Sequence, residues 1–154
     1  MKTDLTLKME KLLFRQTTAG FGVYGCLEVE IGDRNTLHKD GEREFVDYMT
    51  LDSKRTIRCY EIKSSHRDFI SNSKVTFAGH YNYYVMPEEL YELEKDDIPP
   101  YVGVMILPGG EGKQKLKSVV SAKRVPLEEE EVNELIRCFA MSAARYAKRW
   151  NLRT

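Results

Sequence analysis

A carboxylate and an amine two residues apart end an apolar segment of the chain, in Glu61-Ile62-Lys63. Residues 57–62 are rich in β-forming side chains and predict a strand. Because side chains alternate along a strand, Glu61 and Lys63 are expected on one face and Ile62 on the other. The sequence therefore predicts a carboxylate and an ammonium group held side by side.

A second carboxylate is expected to face this pair. Asp47 lies in an earlier β-rich run, residues 45–49, and a polar turn at residues 52–55 separates the two runs, which predicts a hairpin. If the hairpin brings Asp47 opposite Glu61, two like charges converge and a cation between them relieves their repulsion. Hard oxygen ligands of this kind suit Mg²⁺ or Mn²⁺. With Lys63 to stabilise developing charge, such a centre has the components that phosphodiester hydrolysis requires.

The tripeptide pattern acidic-x-Lys carries little information by itself, because it also occurs at Asp52-Ser53-Lys54 and Glu111-Gly112-Lys113. Those two copies lie in turn-rich polar stretches, where a solvated ion pair is the simpler interpretation. Only Glu61-Ile62-Lys63 ends an apolar strand and leads into a helix, whose start Ser65-His66-Arg67-Asp68 has the form of a capping box. The alternative is that Glu61 and Lys63 form an exposed pair on an edge strand.

The elements around this centre follow the order helix, three strands, helix, strand, helix, two strands, helix. Apolar spacing predicts a first helix from Asp4 and a long last helix after Pro126. Strands are predicted over residues 23–31, 45–49, 57–62, 83–86, 102–107 and 116–120. This alternation predicts one α/β domain over residues 1–154, with a mixed sheet flanked by helices and a long C-terminal helix.

The composition narrows the class of protein. The chain has 154 residues, of which 42% are hydrophobic and 31% charged, which excludes a disordered, collagen-like or coiled-coil protein. Its 24 basic and 24 acidic residues balance, so a histone-like or polybasic membrane binder is excluded. A polyanion must then be met by a local basic patch or through bound metal ions.

Targeting signals and cysteine chemistry are also constrained. No apolar stretch approaches the roughly 20 residues of a membrane span, and the N-terminal residues have no signal-peptide core, so a cytoplasmic protein without a membrane partner is expected. The three cysteines are Cys26, Cys59 and Cys138. They are far apart and odd in number, which argues against both a disulfide framework and a thiolate zinc site.

Val46-Asp47, followed by Glu61-Ile62-Lys63 fourteen positions after the Asp, resembles the signature of the PD-(D/E)XK nuclease superfamily, with Val46 where the signature has Pro. The stretches from Cys59 to Phe69 and from His80 to Pro87 more specifically resemble the MmcB-like DNA-repair branch and related bacterial and phage proteins. The resemblance covers residues 26–107, about half of the chain, and leaves the C-terminal helix outside it.

The resemblance implies a restriction-endonuclease-like core. In that core Asp47, Glu61 and the backbone carbonyl of Ile62 would hold Mg²⁺ or Mn²⁺, and Lys63 would be the catalytic lysine. Many members of the superfamily add a glutamate from the first helix, for which Glu10 is the candidate. Glu28 on the first strand competes for that role. The simpler alternatives are a helix-surface charge for Glu10 and an ordinary polar strand position for Glu28.

Three further residues are candidates for contacts with nucleic acid. Ser64 could donate a hydrogen bond to a phosphate at the mouth of the site. Lys74 could reach the nucleic-acid backbone, although a solvated helix residue is the simpler interpretation. His80 precedes the Tyr83-Tyr84 strand and could contact a phosphate or base, or belong to a half-buried aromatic cluster.

Two functions of different classes are therefore considered. The first is a metal-dependent nuclease that cuts DNA, in DNA repair or phage replication of a bacterial or phage-encoded system, with homodimerisation left open. The second is a catalytically inactive nucleic-acid-binding or protein-interaction module on the nuclease fold. Metal-dependent chemistry on a small phosphorylated substrate is a third, disfavoured because the chain has no nucleotide-binding glycine loop.

Overall fold

A mixed β-sheet forms the centre of the protein. The computed structural model describes residues 2–32, 44–71, 77–110 and 114–153. Within these ranges six strands lie side by side in chain order: β1 (Val23–Ile31), β2 (Glu44–Asp52), β3 (Ile57–Ile62), β4 (Tyr81–Pro87), β5 (Gly103–Leu107) and β6 (Lys117–Val120). Strands β3, β4 and β5 run parallel to one another, and the remaining neighbours are antiparallel.

Helices cover both faces of this sheet. They are α1 (Asp4–Thr18), α2 (His66–Phe69), α3 (Glu88–Glu94), which a 3-10 turn follows, and α4 (Glu129–Leu152). The Thr3 hydroxyl caps α1 by accepting a hydrogen bond from the backbone N of Thr6. A capping box between Glu128 and Glu131 begins α4. No helix in the described ranges combines the length and the apolar character that crossing a membrane requires.

The strand β3 shows how the helices divide between the two faces. Its residue Cys59 packs in the same apolar cluster as Leu135 of α4, whereas the next residue, Tyr60, packs with Met9 of α1. Because neighbouring side chains point to opposite faces, α1 and α4 lie on opposite sides of the sheet. The sheet face that α4 covers continues past β3 to β4. There Tyr84 packs in a third cluster with residues of α2 and α3.

The predicted fold class and the predicted order of elements are confirmed. Antiparallel pairing of β2 with β3 confirms the expected hairpin, and β5 and β6 are also antiparallel neighbours. Cys26, Cys59 and Cys138 are all buried free thiols. Burial raises the pKa of the Cys59 thiol to about 12, which makes it a poor nucleophile.

One alternative considered from the sequence is wrong. Strand β3 has β2 and β4 as neighbours and is therefore an interior strand. Glu61 and Lys63 are each only 4% exposed. They are not a solvated pair on a sheet edge, because the parallel strand β4, which returns after α2, covers that side of β3.

The close contact between β1 and β2 beside Asp47 gives a first prediction. A Cβ atom at Gly25 would lie 2.0 Å from Oη of Tyr48, which is fully buried and bonded to the Thr17 hydroxyl at 2.7 Å. We expect Gly25→Ala to destabilise the protein by about 1–3 kcal/mol, as overpacking of a core does. Urea unfolding measures this, with Gly20→Ala as control because no atom lies within 4 Å of a Cβ there. Equal stability of the two variants would contradict the packing described here.

Candidate metal centre

The hairpin of β2 and β3 brings Asp47 and Glu61 together. Tyr48 pairs with Tyr60, so Asp47 and Glu61 occupy the next opposing positions of the antiparallel register. Their side chains are hydrogen-bonded to each other, and Asp47 Oδ2 also accepts a hydrogen bond from the backbone N of Ile62 at 2.8 Å. The two carboxylates that the sequence singled out therefore meet at one point of the sheet.

The contact between these carboxyl groups has an electrostatic consequence. A hydrogen bond between two carboxyl groups requires that one of them carries a proton. Burial raises the pKa of Asp47 above its ordinary value, and the negative charge of Asp68 adds to this rise. The hydrogen bonds from Ile62 and Glu61 and the charge of Lys63 oppose it. The position is one where a proton or another cation has to balance two negative charges.

Lys63 lies at the end of β3, on the same face as Glu61. Its backbone N donates to the carbonyl of Val85 at 2.9 Å, which extends the pairing with β4 by one residue and fixes the direction of the side chain. Its Nζ donates to the backbone carbonyl of Asp68 at 3.3 Å and lies 3.9 Å from Asp68 Oδ1. A buried ammonium group is therefore held close enough to Asp47 to lower its pKa.

Asp68 is a site residue that the sequence analysis treated only as part of a helix cap. The Ser65 hydroxyl accepts from the backbone N of Asp68 at 3.1 Å, which is one half of the predicted capping box. The reciprocal bond differs, because Asp68 Oδ2 accepts from the backbone N of Ser64 at 2.9 Å. Asp68 thereby faces Lys63 with its other oxygen. Its place five residues after Lys63, in the first turn of a helix, is the signal that could have identified Asp68 as a site residue.

Glu28 lies on the edge strand β1, at the position across from Asp47. Leu27 pairs with Tyr48 and Val29 with Val46, so Glu28 lies across from Asp47. The backbone of Glu28 has a φ of 52°, a left-handed conformation that is uncommon for residues other than glycine. The pairing of β1 with β2 is interrupted at this residue.

Lys2 joins the two candidates for the additional acidic residue. Its Nζ lies 2.5 Å from Glu10 Oε2 and 2.7 Å from Glu28 Oε1. Glu10 is only 6% exposed, so it is not an ordinary helix-surface charge. The hydrogen bond from Lys2 lowers the pKa of Glu28, which remains exposed. Both glutamates are thus gathered around one ammonium group.

Of the three candidates for nucleic-acid contacts, Ser64 lies at this centre and His80 does not. His80 is buried, and its Nδ1 accepts a hydrogen bond from the backbone N of Ile57 at 3.0 Å. It therefore lies at the start of β3, at the opposite end from Glu61, where burial and the charge of Arg124 lower its pKa. Ser64 directly follows Lys63, and its backbone N and its hydroxyl both donate to Asp68 Oδ2, at 2.9 and 3.5 Å. Lys74 lies outside the described residues.

The donor set fits a magnesium-type ion better than a zinc-type ion. Among the described residues, no group of three His, Cys, Asp or Glu side chains is arranged to hold a metal ion. Mg²⁺, however, commonly takes only one or two carboxylates from the protein and completes its shell with water and substrate phosphate. Asp47 and Glu61, which meet at a buried position where a cation would replace a shared proton, fit that requirement.

Comparisons with known proteins support the fold alone. No protein-family model matches the chain, and no curated protein matches it either. The chain is similar to a solved structure of a protein of unknown function from Silicibacter pomeroyi, with a TM-score of 0.70 and 21% sequence identity. The match covers 99% of this chain and 94% of the other. A similar arrangement of strands and helices therefore exists in that protein.

Proposed function

We propose that the protein is a metal-dependent nuclease of the PD-(D/E)XK type that hydrolyses phosphodiester bonds of DNA. The observation that carries the proposal is the meeting of Asp47 and Glu61, beside the buried amine of Lys63. Buried charged groups of this kind rarely stabilise a fold, since apolar residues of similar size usually do at least as well. A catalytic role gives a reason for keeping them.

The roles follow from the positions of the groups. Asp47 and Glu61 would hold Mg²⁺ or Mn²⁺, with the backbone carbonyl of Ile62 as the further ligand that the superfamily resemblance implies. Such an ion, when bound, lowers the pKa of a coordinated water and neutralises charge on the phosphoryl oxygens. The Lys63 ammonium stabilises the negative charge that develops at the scissile phosphate. Glu10 or Glu28 supplies the additional acidic group.

The cellular setting is part of the same proposal. A nuclease of this kind would act in the cytoplasm of a bacterium, in DNA repair or in phage replication. Because both strands of a duplex carry a scissile bond, a homodimer is the arrangement that would cut them together. The competing function is a module that has kept the fold and binds nucleic acid or a protein without cleaving anything.

A cleavage assay over several nucleic acids tests this proposal. We expect at least one DNA form, among duplex, single-stranded and branched substrates, to be cut with Mg²⁺ or Mn²⁺ and not with EDTA. Asp47→Ala should remove the activity, whereas Asp96→Ala, an exposed aspartate of the 3-10 turn, should retain it. Cutting of RNA alone would overturn the assignment to DNA. Absence of cleavage under all conditions would favour the non-catalytic module.

A further inference from the structure

The C-terminal part of α4 extends beyond the apolar core. The buried residues of this 24-residue helix are Val132, Leu135, Cys138 and Ser142. Ala143 and Tyr146 still pack against the core, whereas residues 147–152 are all exposed. At 1.5 Å per residue, these six positions extend the helix by about 9 Å. Packing against the sheet therefore does not explain the last turns of the helix.

This extension has a strong local positive charge. Residues 145–153, which we name the basic end of α4, contain four basic side chains and no acidic one: Arg145, Lys148, Arg149 and Arg153. Arg145 forms an ion pair with Glu30 at 2.9 Å, but Lys148 and Arg149 are exposed. In a chain whose total formal charge is zero, this is a local patch of the kind that a polyanion requires.

Aromatic rings alternate with these charges. Trp150 is 66% exposed, and the guanidinium carbon of Arg153 lies 3.7 Å from the centroid of its ring. The guanidinium carbon of Arg149 lies 5.2 Å from the ring centroid of Tyr146. Surfaces that bind single-stranded nucleic acids combine the same two features, cations that follow the phosphates and exposed rings on which bases stack.

The basic end of α4 begins next to the candidate metal centre. Oη of Tyr146 donates a hydrogen bond to Glu28 Oε2 at 3.4 Å, and Glu28 lies across from Asp47. Beside Glu28 is a cavity of about 200 Å³, lined by Glu28, Phe45, Ser142, Arg145, Tyr146 and Arg149. A DNA strand that lies along the helix would therefore reach Glu28, the β1 residue across from Asp47.

We infer that the basic end of α4 binds a single-stranded segment of DNA that leads to the candidate centre. Arg149 and Arg153 pair with its phosphates, and Trp150 stacks against one of its bases. Single-stranded DNA is favoured over a duplex because a base that is already paired cannot stack on an exposed ring. The inference rests on the proposed function in taking DNA as the substrate, and it adds the form of DNA and the surface that holds it.

Binding of a fluorescently labelled oligonucleotide in EDTA tests this inference without any cleavage. We expect Arg149→Gln/Arg153→Gln to weaken binding of single-stranded DNA about tenfold and to reduce the slope of log K against log salt by about 1.4, or roughly 0.7 per phosphate. The matched control is Lys11→Gln/Arg15→Gln, which removes two exposed charges four residues apart on α1, across the sheet. The control should change affinity less than about twofold.

Trp150→Ala separates stacking from charge. This substitution should weaken binding of single-stranded DNA by about fivefold or more and binding of duplex by less than about twofold. Because Trp150 is exposed, this substitution should leave the fold intact, and circular dichroism checks that it does.

Several outcomes would overturn the inference. They are no binding by the wild type, equal effects of the two double variants, or a Trp150→Ala protein that binds normally but changes its oligomeric state in light scattering. The last result would identify a second copy of the chain as the partner of this surface. A wild type that binds through the basic end of α4 but never cleaves would instead overturn the proposed nuclease and leave this inference standing.

Discussion

Lys63→Ala is expected to reduce the rate of DNA cleavage by roughly 10²–10³ and to leave the Kd for DNA within about threefold. The reason is the position of the amine. Lys63 is 4% exposed and is held beside Asp68 on the face of Glu61, so it can reach the scissile phosphate but not a long stretch of the DNA backbone. One phosphate contact among several contributes little to affinity, whereas a charge at the reacting phosphate acts mainly on the transition state.

The measurement combines single-turnover cleavage with equilibrium binding on the same preparation. Lys54→Ala is the matched control, because Lys54 ends the same acidic-x-Lys pattern but lies exposed in the turn between β2 and β3. Lys63→Met keeps the apolar stem of the buried side chain and guards against a loss of activity that comes only from a cavity. We expect both substitutions at Lys63 to lose cleavage and the control to retain it.

Two results would contradict this prediction. If Lys63→Ala cleaves at the wild-type rate, Lys63 is not the catalytic lysine and the superfamily resemblance is misleading at this position. If the wild type does not cleave and the substitution only weakens binding, with a smaller dependence on salt, the protein is a binding module.

The meeting of Asp47 and Glu61 could be predicted because a hairpin is a local structure. A short turn fixes the register of the two strands that it joins. The turn closes through a hydrogen bond from the backbone N of Asp52 to the carbonyl of Thr56 at 3.2 Å, so its midpoint is Lys54. Asp47 precedes Lys54 by seven residues, and Glu61 follows Lys54 by seven residues. The register of the hairpin therefore places Asp47 and Glu61 opposite each other.

The burial of Lys63 and the position of His80 depend instead on a long-range feature, the direction of β4. Because β4 runs parallel to β3, the residue that precedes β4 lies at the start of β3, next to Ile57, and not at its end. The sequence pattern assigned β4 as a strand but not its neighbours or its direction. His80 was therefore expected near a centre that lies at the other end of β3.

The ion-pair cluster of Lys2 with Glu10 and Glu28 was also beyond the sequence pattern. It requires that α1 pack across the sheet face and that the edge strand bend at Glu28 into a left-handed conformation. Periodicity along one helix or one strand reports which side faces the core. It does not report which residues of two separate elements meet.

Replacement of either central carboxylate should stabilise the metal-free protein and abolish its binding of Mn²⁺. In Glu61→Gln the side-chain amide can donate a hydrogen bond to Asp47 without needing a shared proton. In Asp47→Asn the amide oxygen can still accept from the backbone N of Ile62. Removing one of two repelling buried charges from a functional site commonly stabilises a protein by about 0.5–2 kcal/mol.

The pH dependence of stability follows from the raised pKa of Asp47. Since burial raises that pKa in the folded state, the folded protein holds this proton more tightly than the unfolded chain does. The stability of the metal-free wild type should therefore fall as pH rises from the ordinary value of 3.8 through the raised value. Asp47→Asn has no carboxyl group at this position and should lose that part of the dependence.

Urea unfolding in EDTA across this pH range, together with calorimetric titration of Mn²⁺ at neutral pH, checks both effects on the same variants. Asp96→Asn makes the same chemical change at an exposed position of the 3-10 turn and should alter neither measurement. Variants that are less stable than wild type in EDTA and still bind Mn²⁺ equally well would mean that Asp47 and Glu61 form a structural hydrogen-bonded pair. If Asp47 and Glu61 formed a structural hydrogen-bonded pair, the substitution would lower the stability of the metal-free protein. If they form a cation site, the substitution removes charge repulsion and so raises that stability, while it abolishes Mn²⁺ binding.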